Sequence, residues 1–232
     1  STPLYSSAAS DVYKRQSPHH LHMDTPPPSD AQLTQALFRV IAAHGWRGVT
    51  PARLAAESGL PASALVARYP SRLGLLRSFA DVVMDEVATG TVPGQGGTPR
   101  DRLFDVLMRG LDALAPYKAG LRRLMTEMYT DAVLAGAMAP QFQRSMERML
   151  ELAEIDSGGL KGRLRAAGLT AVWIRAVHVW SGDTSEELGP TMAALDRALE
   201  RAEQAARSFG LADGDLAAPP EDAAQGAGAT TP

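Results

Sequence analysis

Apolar side chains recur every three to four residues along most of the chain from Ser29 to Gly210. This period matches the turn of an α-helix, so the apolar side chains of each segment share one helical face. No segment shows sustained alternation of apolar and polar residues, which is the pattern of a half-buried strand. We therefore predict an all-α fold without a sheet.

Capping and stop signals divide the first part of this region into four helices. Ser29 or Asp30 can cap the first helix, and Gly45 is a natural stop for it. Thr50, followed by a proline, starts a short second helix that Gly59 ends. The later helices are predicted over residues 52–58, 62–68 and 72–88, and the apolar face of the first comprises Leu33, Leu37, Val40, Ile41 and His44.

The glycine- and proline-rich segment 90–99, GTVPGQGGTP, is the clearest internal linker. It separates a predicted domain of residues 29–89 from a larger one of residues 98–210. Thr98 and Asp101 restart the helix with the spacing of a capping box. In the larger domain we predict helices at about residues 100–114, 118–129, 140–154, 160–179 and 185–209, with Pro116 and Pro140 as helix boundaries.

The two ends of the chain do not follow the helical pattern. The string SSAASDVYKRQ within residues 1–16 resembles a translated sequencing adapter of the transposase type. We therefore expect residues 1–28 to be an artefact or a disordered segment, with Met23 as the natural start. Residues 211–232 are rich in Ala, Gly, Asp and Pro, and we expect a disordered tail there.

The composition excludes several kinds of chemistry. The chain has no cysteine, which rules out disulfides, a thiol nucleophile and a cysteine zinc site. It also has no glycine-rich phosphate loop after a strand, no nucleophile elbow and no paired-carboxylate motif. The acidic residues Asp183, Glu186 and Glu187 are expected to form a turn and a first helical turn rather than a metal site. We predict a protein without enzymatic activity, cofactor or metal, located in the cytoplasm.

The charge distribution is uneven. The chain carries a formal net charge of −3, but residues 31–79 hold six arginines against Glu57, a local charge of +5. A basic patch of this kind suits a polyanion such as nucleic acid. The alternative is a solvated, positively charged surface. The arginines of this basic patch are Arg39, Arg47, Arg53, Arg68, Arg72 and Arg77.

Two short helices joined at a glycine, preceded by a packing helix and followed by a longer one, form the pattern of a helix-turn-helix. The run ALFRVIAAHGWRGVTPARLAAESGLPASALVARYPSRLGLL resembles the N-terminal domain of TetR-type transcriptional regulators. The resemblance implies a TetR-like fold, with a C-terminal helical bundle for ligand binding and dimerisation. The matching residues are Gly45, Thr50, Leu54, Ala55, Gly59, Tyr69, Pro70, Ser71, Leu75 and Leu76.

The resemblance also implies which residues contact DNA. Helix N-termini and flanking arginines meet phosphates, and Arg68 is the one long donor on the third helix that could bind a guanine edge. Two positions depart from the family pattern, since Val66 replaces the usual tyrosine and Pro61 the usual capping Ser or Thr. The predicted DNA-contacting residues are Thr50, Arg53, Ser63, Arg68, Tyr69 and Arg72, with Tyr69 acting through packing.

The larger domain is rich in methionine, a residue that adapts its shape around apolar ligands. Pockets between bundle helices are common, and the resemblance implies one here. The alternative is an ordinary packed core, with His178 as a core or interface residue. The predicted ligand-binding residues are Met108, Met125, Met128, Met146, Met149, Trp173 and His178.

The last two predicted helices carry more apolar residues than one small domain requires, which indicates a homodimer built from helix pairs of two subunits. The residues behind this prediction are Leu164, Leu169, Val172, Ala176, Leu188, Met192, Leu195 and Leu199.

These features favour a ligand-responsive TetR-like repressor that binds double-stranded operator DNA as a homodimer and a small apolar effector in its larger domain. The alternative is a lipid-binding accessory protein of ubiquinone biosynthesis with the same fold, for which a membrane or lipid would be the partner. The segment VWIRAVHVWSGDTSEELGPTMAALDRALERAE resembles that family. The similar positions are Trp180, Asp183, Ser185, Thr191, Leu195, Asp196 and Arg197.

Overall fold

The computed structural model describes residues 29–94 and 97–211 of the chain. The expectations for residues 1–28 and for the tail beyond residue 211 lie outside these described residues. Short 3₁₀ turns at Trp46–Gly48 and Ala115–Tyr117 connect some of the helices. The described residues form nine α-helices, α1 Asp30–His44, α2 Pro51–Ser58, α3 Ala62–Arg68, α4 Arg72–Gly90, α5 Pro99–Leu114, α6 Lys118–Met128, α7 Ala132–Leu152, α8 Gly159–Gly182 and α9 Gly189–Ser208.

Side-chain caps explain where four of these helices begin. The hydroxyls of Ser29, Thr50, Ser71 and Thr98 each accept a hydrogen bond from a main-chain N–H in the first turn of their helix. Thr98 also donates its hydroxyl to the Asp101 carboxylate at 2.7 Å, which lowers the pKa of Asp101. These four caps confirm the predicted starts of α1, α2, α4 and α5.

The predicted boundary at Pro140 is wrong, because this proline lies inside α7. The helix begins at Ala132, where the side chain of Asp131 accepts a hydrogen bond from the N–H of Leu134 at 3.0 Å. A proline inside a helix removes the hydrogen bond to the carbonyl four residues earlier, here that of Gly136. Both Pro140 and Gly136 are exposed, so solvent can satisfy that carbonyl.

Two further details differ from the expected pattern. The last helix begins at Gly189 rather than at residue 185, because Leu188 takes a left-handed conformation with φ 51° that interrupts the helical path. His44 is exposed rather than part of the buried face of α1. The spacing of apolar and polar residues around residue 188 does not reveal this interruption of the helix. The spacing around residue 44 likewise does not reveal that the His44 side chain is exposed.

One continuous hydrophobic core runs from α1 to α9, across the predicted domain boundary. Within it the rings of Phe38, Phe79 and Tyr117 lie with their centroids 4.3 to 5.3 Å apart. These rings come from α1, from α4 and from the turn before α6. Gly120 lets α6 approach closely, since a Cβ there would lie 2.4 Å from the carbonyl oxygen of Phe38.

Among the helices that the structure describes, none is both long enough and apolar enough to cross a membrane.

Candidate nucleic-acid interface and regulatory core

Helices α2 and α3 form the helix-turn-helix that the sequence predicts. Gly59 ends α2 in the left-handed conformation, with φ 73°, and lets the chain turn into α3. Leu54 of α2 and Leu65 of α3 are each only 4% exposed and join the core around α1. The pair is therefore held rigidly, while the outer face of α3 remains open to solvent.

Three of the predicted DNA-contacting residues lie on the exposed side of this motif. Thr50 is exposed and caps α2, and Ser63 is exposed on α3. Arg53 is also exposed, and its guanidinium donates to the carbonyl of Gly48 at 2.9 Å. This bond holds the Arg53 side chain against the turn before α2, beside the helix N-terminus that would meet a phosphate.

Arg68 and Tyr69, the next two predicted DNA-contacting residues, both bind Asp30, a partner that the sequence pattern did not indicate for them. Arg68 forms an ion pair with Asp30, the first residue of α1. The hydroxyl of Tyr69 donates to the same carboxylate at 3.0 Å and lies 3.2 Å from the Ser78 hydroxyl. Tyr69 is half-buried and packs against the hydrophobic core. The Arg68 guanidinium thus points back toward α1 in the free protein.

Arg72, the last predicted DNA-contacting residue, is bound to Trp46. Its guanidinium donates to the Trp46 carbonyl at 3.2 Å and lies 5.1 Å from the centroid of the indole ring, a cation–π distance. The main-chain N–H of Trp46 in turn donates to the Glu127 carboxylate of α6 at 3.0 Å. Gly45 next to it has φ 71°, and a Cβ there would collide with Glu127. Trp46 therefore connects α6 with the start of α4.

The remaining arginines of the basic patch differ in their surroundings. Arg39 forms an ion pair with Glu57. Arg47 and Arg77 are exposed and have no ion pair or hydrogen bond from their side chains among residues 29–94 and 97–211. Both are available to an anionic partner.

The outer face of α3 is small and mostly apolar. Ser63, Ala64 and Ala67 are exposed, and Val66 is 49% exposed. Within the described residues this face presents no long hydrogen-bond donor apart from Arg68.

The predicted ligand-binding methionines belong to the packed core. Met146, Met149 and Trp173 are buried. A Cβ added at Gly110 would lie 2.9 Å from the Trp173 ring and 3.2 Å from the Met149 terminal methyl, so these groups already fill the space between α5, α7 and α8. The half-buried members of the predicted set, which pack against the same core, are Met108, Met125 and Met128.

His178, another member of the predicted ligand-binding set, does not join that core. It is exposed on α8, four residues after the exposed Ile174. The spacing places both on the outer face of the helix, away from Trp173 and Met149.

Two open cavities lie elsewhere, and neither contains a predicted ligand-binding residue. One of about 250 Å³ lies between α4 and α7. The other, of about 170 Å³, lies beside the start of the linker. The first is lined by Asp81, Met84, Asp85, Gln141, Arg144, Ser145 and Arg148. The described residues contain no group of three or more His, Asp or Glu side chains that could hold a metal ion.

The segment that resembles the ubiquinone accessory family forms the corner between α8 and α9. The buried Asp183 accepts from the N–H and hydroxyl of Ser185 at 3.0 and 2.6 Å, and from those of Thr191 at 3.1 and 2.6 Å. The Ser185 hydroxyl first, then that of Thr191, holds the pKa of Asp183 well below its ordinary value. Lys118 donates to the Asp183 carbonyl at 2.6 Å, and its ammonium lies 4.8 Å from the Trp180 ring.

These contacts give the segment a structural role. Leu188, which immediately precedes α9, provides no side-chain cap for the helix. The carboxylate of Asp183 serves as the cap instead, because it accepts a hydrogen bond from the N–H of Thr191 in the first turn of α9. Asp196 forms an ion pair with Arg100 at 2.8 Å, which ties α9 to α5. The Asp-x-Ser spacing and Thr191 therefore serve the helix corner, while Leu195 packs in the core and Asp196 binds α5.

No protein-family profile matches the sequence, and no curated protein matches it either. Solved structures do match. A TetR transcriptional regulator from Nitrosomonas europaea ATCC 19718 is 18% identical, with a TM-score of 0.61 over 77% of this chain and 99% of that one. A TetR transcriptional regulator from Rhodococcus sp. RHA1 is 17% identical, with a TM-score of 0.53 over 74% of this chain and 93% of that one.

A TetR-family transcriptional regulator from Streptomyces coelicolor is 14% identical, with a TM-score of 0.51 over 80% of this chain and 86% of that one. These similarities span both the helix-turn-helix and the larger helical part. The chain therefore has the all-α fold of TetR-type transcriptional regulators.

Proposed function

We propose that this protein is a TetR-like transcriptional regulator that binds double-stranded DNA. The observation that carries the proposal is the rigidly held pair α2 and α3, which presents an open outer face within a segment of formal charge +5. A short helix fits the major groove of DNA, and surrounding arginines neutralise phosphates. The proposed contacts are those of Thr50, Arg53, Ser63, Arg68, Tyr69 and Arg72.

The regulator acts as a homodimer in this proposal, with α8 at the interface. An exposed apolar stripe along α8 supports it, at the alternating spacing of four and three residues that brings side chains onto one helical face. Most residues of the earlier dimer prediction, such as Leu169 and Leu195, are instead buried inside the chain's own core. The apolar residues of the stripe are Leu160, Leu164, Ala167, Ala171 and Ile174, and His178 continues the same spacing.

We propose further that a small apolar effector enters the methionine-rich core and releases the protein from its operator, which makes the protein a repressor. Methionine side chains rearrange at low cost, so Met149 and the half-buried Met125 and Met128 can move apart around a ligand. The contacts from α6 through Glu127 to Trp46 and Arg72 provide a physical connection between this core and the DNA-binding face.

The proposal is tested by selecting duplexes from a random-sequence library with the full chain. Affinity for a selected duplex is then compared with that for a scrambled duplex over a salt series. We expect a selected duplex to bind at least about a thousandfold more tightly than the scrambled one at physiological salt. Equal binding to both duplexes would contradict specific regulation and leave only the nonspecific attraction of a basic surface for a polyanion.

A further inference from the structure

The outer face of α3 lacks the groups that most often distinguish base pairs. Arginine and lysine recognise guanine, and asparagine and glutamine recognise adenine, through pairs of hydrogen bonds. The exposed positions of α3 before Arg68 carry only Ser63, Ala64, Val66 and Ala67. A serine hydroxyl can donate or accept, so Ser63 discriminates little between bases.

Arg68 is already engaged. Its guanidinium pairs with Asp30 and lies 5.7 Å from the centroid of the Tyr69 ring. Tyr69 binds the same Asp30 carboxylate, so three side chains hold one arrangement at the C-terminal end of α3. To contact a guanine, the Arg68 guanidinium would have to give up its ion pair with Asp30 and its cation–π contact with the Tyr69 ring.

Apolar side chains can still distinguish one base. Thymine is the only base with a methyl group on its major-groove edge, at C5. Val66 is 49% exposed although it is apolar, and Ala67 stands next to it on the same open face. Against a cytosine, the same apolar contact would cover the amino N–H without offering it a partner, which is unfavourable.

From these observations we infer that α3 recognises thymine methyl groups through Val66 and Ala67, and that Arg68 positions α3 rather than selecting bases. The inference rests on the proposed DNA-binding function and specifies how its site distinguishes sequences. The expected operator half-site therefore contains at least one thymine whose methyl is buried against Val66. Burying one methyl group corresponds to about a fourfold gain in affinity.

The test replaces each thymine of a selected duplex, one at a time, with deoxyuridine, which lacks only the methyl group. We expect a loss of about fourfold at one or two positions in each half-site with the full-length protein. Val66→Ala should lower affinity for the thymine duplex and reduce the effect of deoxyuridine at one of these positions. Arg68→Ala should leave the order of preferred sequences unchanged.

Val133→Ala is the matched control, since Val133 is an exposed valine in helix α7, away from the motif, and is 82% exposed. It should change neither affinity nor the deoxyuridine effect. Specific binding that is insensitive to deoxyuridine at every position, or a preference that changes with Arg68→Ala and not with Val66→Ala, would overturn the inference while the proposed function stands. Failure to select any duplex would overturn both.

Discussion

The Glu127 carboxylate of α6 accepts a hydrogen bond from the main-chain N–H of Trp46 at 3.0 Å, across 81 residues of sequence. Trp46 is only 4% exposed, and its carbonyl accepts from Arg72 at 3.2 Å. A movement of α6 therefore changes the support of an arginine that we place at the DNA backbone. This is a contiguous chain of contacts between the two parts of the molecule.

We expect Glu127→Ala to lower stability, because it leaves the buried N–H of Trp46 without a partner. The expected cost is about 1–3 kcal/mol, a decrease of about 2–12 °C in melting temperature. Glu127→Gln keeps an oxygen acceptor and should lie closer to the wild type. Asp112→Ala, at an exposed α5 carboxylate without a side-chain hydrogen bond in the described part of the chain, is the control. Equal melting temperatures for Glu127→Ala and the control would show that the contact contributes nothing.

Removing Arg53 or Arg72 should weaken binding to all duplexes to a similar extent, because phosphates are the same in every sequence. Each replacement by alanine should lower the slope of log affinity against log salt concentration by about one. The slope is measured by fluorescence anisotropy over a salt series. Arg109→Ala, at an exposed arginine of α5, is expected to leave the slope unchanged. A slope that also stays the same in Arg53→Ala and Arg72→Ala would remove both residues from the interface.

Asp183, at the corner between α8 and α9, should make the free energy of unfolding depend on pH in the acid range. The pKa of Asp183 is lowered in the folded protein, so its stabilising effect is complete above its ordinary pKa of 3.8 and is lost as the pH falls below that value. Asp183→Asn should therefore melt at a lower temperature than the wild type near neutral pH, and the difference should shrink below about pH 4. Melting temperatures across a pH series provide the measurement. A difference that stays constant down to about pH 2 would contradict this assignment.

A second substitution tests the same corner without changing charge. Thr191 is fully buried and donates both its hydroxyl and its N–H to Asp183. We expect Thr191→Val to cost about 1–3 kcal/mol, because one carboxylate oxygen loses a donor while the shape of the side chain is nearly kept.

A charge on the exposed stripe of α8 should separate the proposed dimer. Leu164 and Ile174 are 49% and 47% exposed, so glutamate at either position is compatible with folding of a single chain. We expect light scattering to show a dimer for the wild type at micromolar concentration and a monomer for Leu164→Glu and Ile174→Glu. Val133→Glu, at a position of α7 that is 82% exposed, should remain dimeric. A monomeric wild type would refute the interface.

Local signals in the sequence were sufficient for most helix bounds. Thr50 with its proline and Gly59 with its left-handed backbone act within one turn, so their effect can be predicted from neighbouring residues. The partners of Arg68 and Trp46 could not be predicted, because Asp30 and Glu127 lie 38 and 81 residues away in sequence. Local periodicity carries no information on which distant side chains meet.

The methionine-rich core shows a second limit of the sequence. Methionine serves equally to line a pocket and to fill a core, so Met146 and Met149 alone could not distinguish these states. The sequence pattern could not show on which face of α8 His178 lies, because this helix has apolar residues on two faces, one buried and one exposed. When a helix is apolar on both faces, the sequence pattern does not show which of the two faces is buried.

The ring cluster of Phe38, Phe79 and Tyr117 has a practical consequence for hybrid proteins. Such a hybrid would join residues 29–89 of one chain to the larger helical part of another chain with this fold. A junction in the linker after Gly90 would separate Tyr117 and Gly120 from the Phe38 surface against which they fit. A working chimera of this protein therefore needs compatible residues at these positions, so that the donor's α6 can still dock on α1.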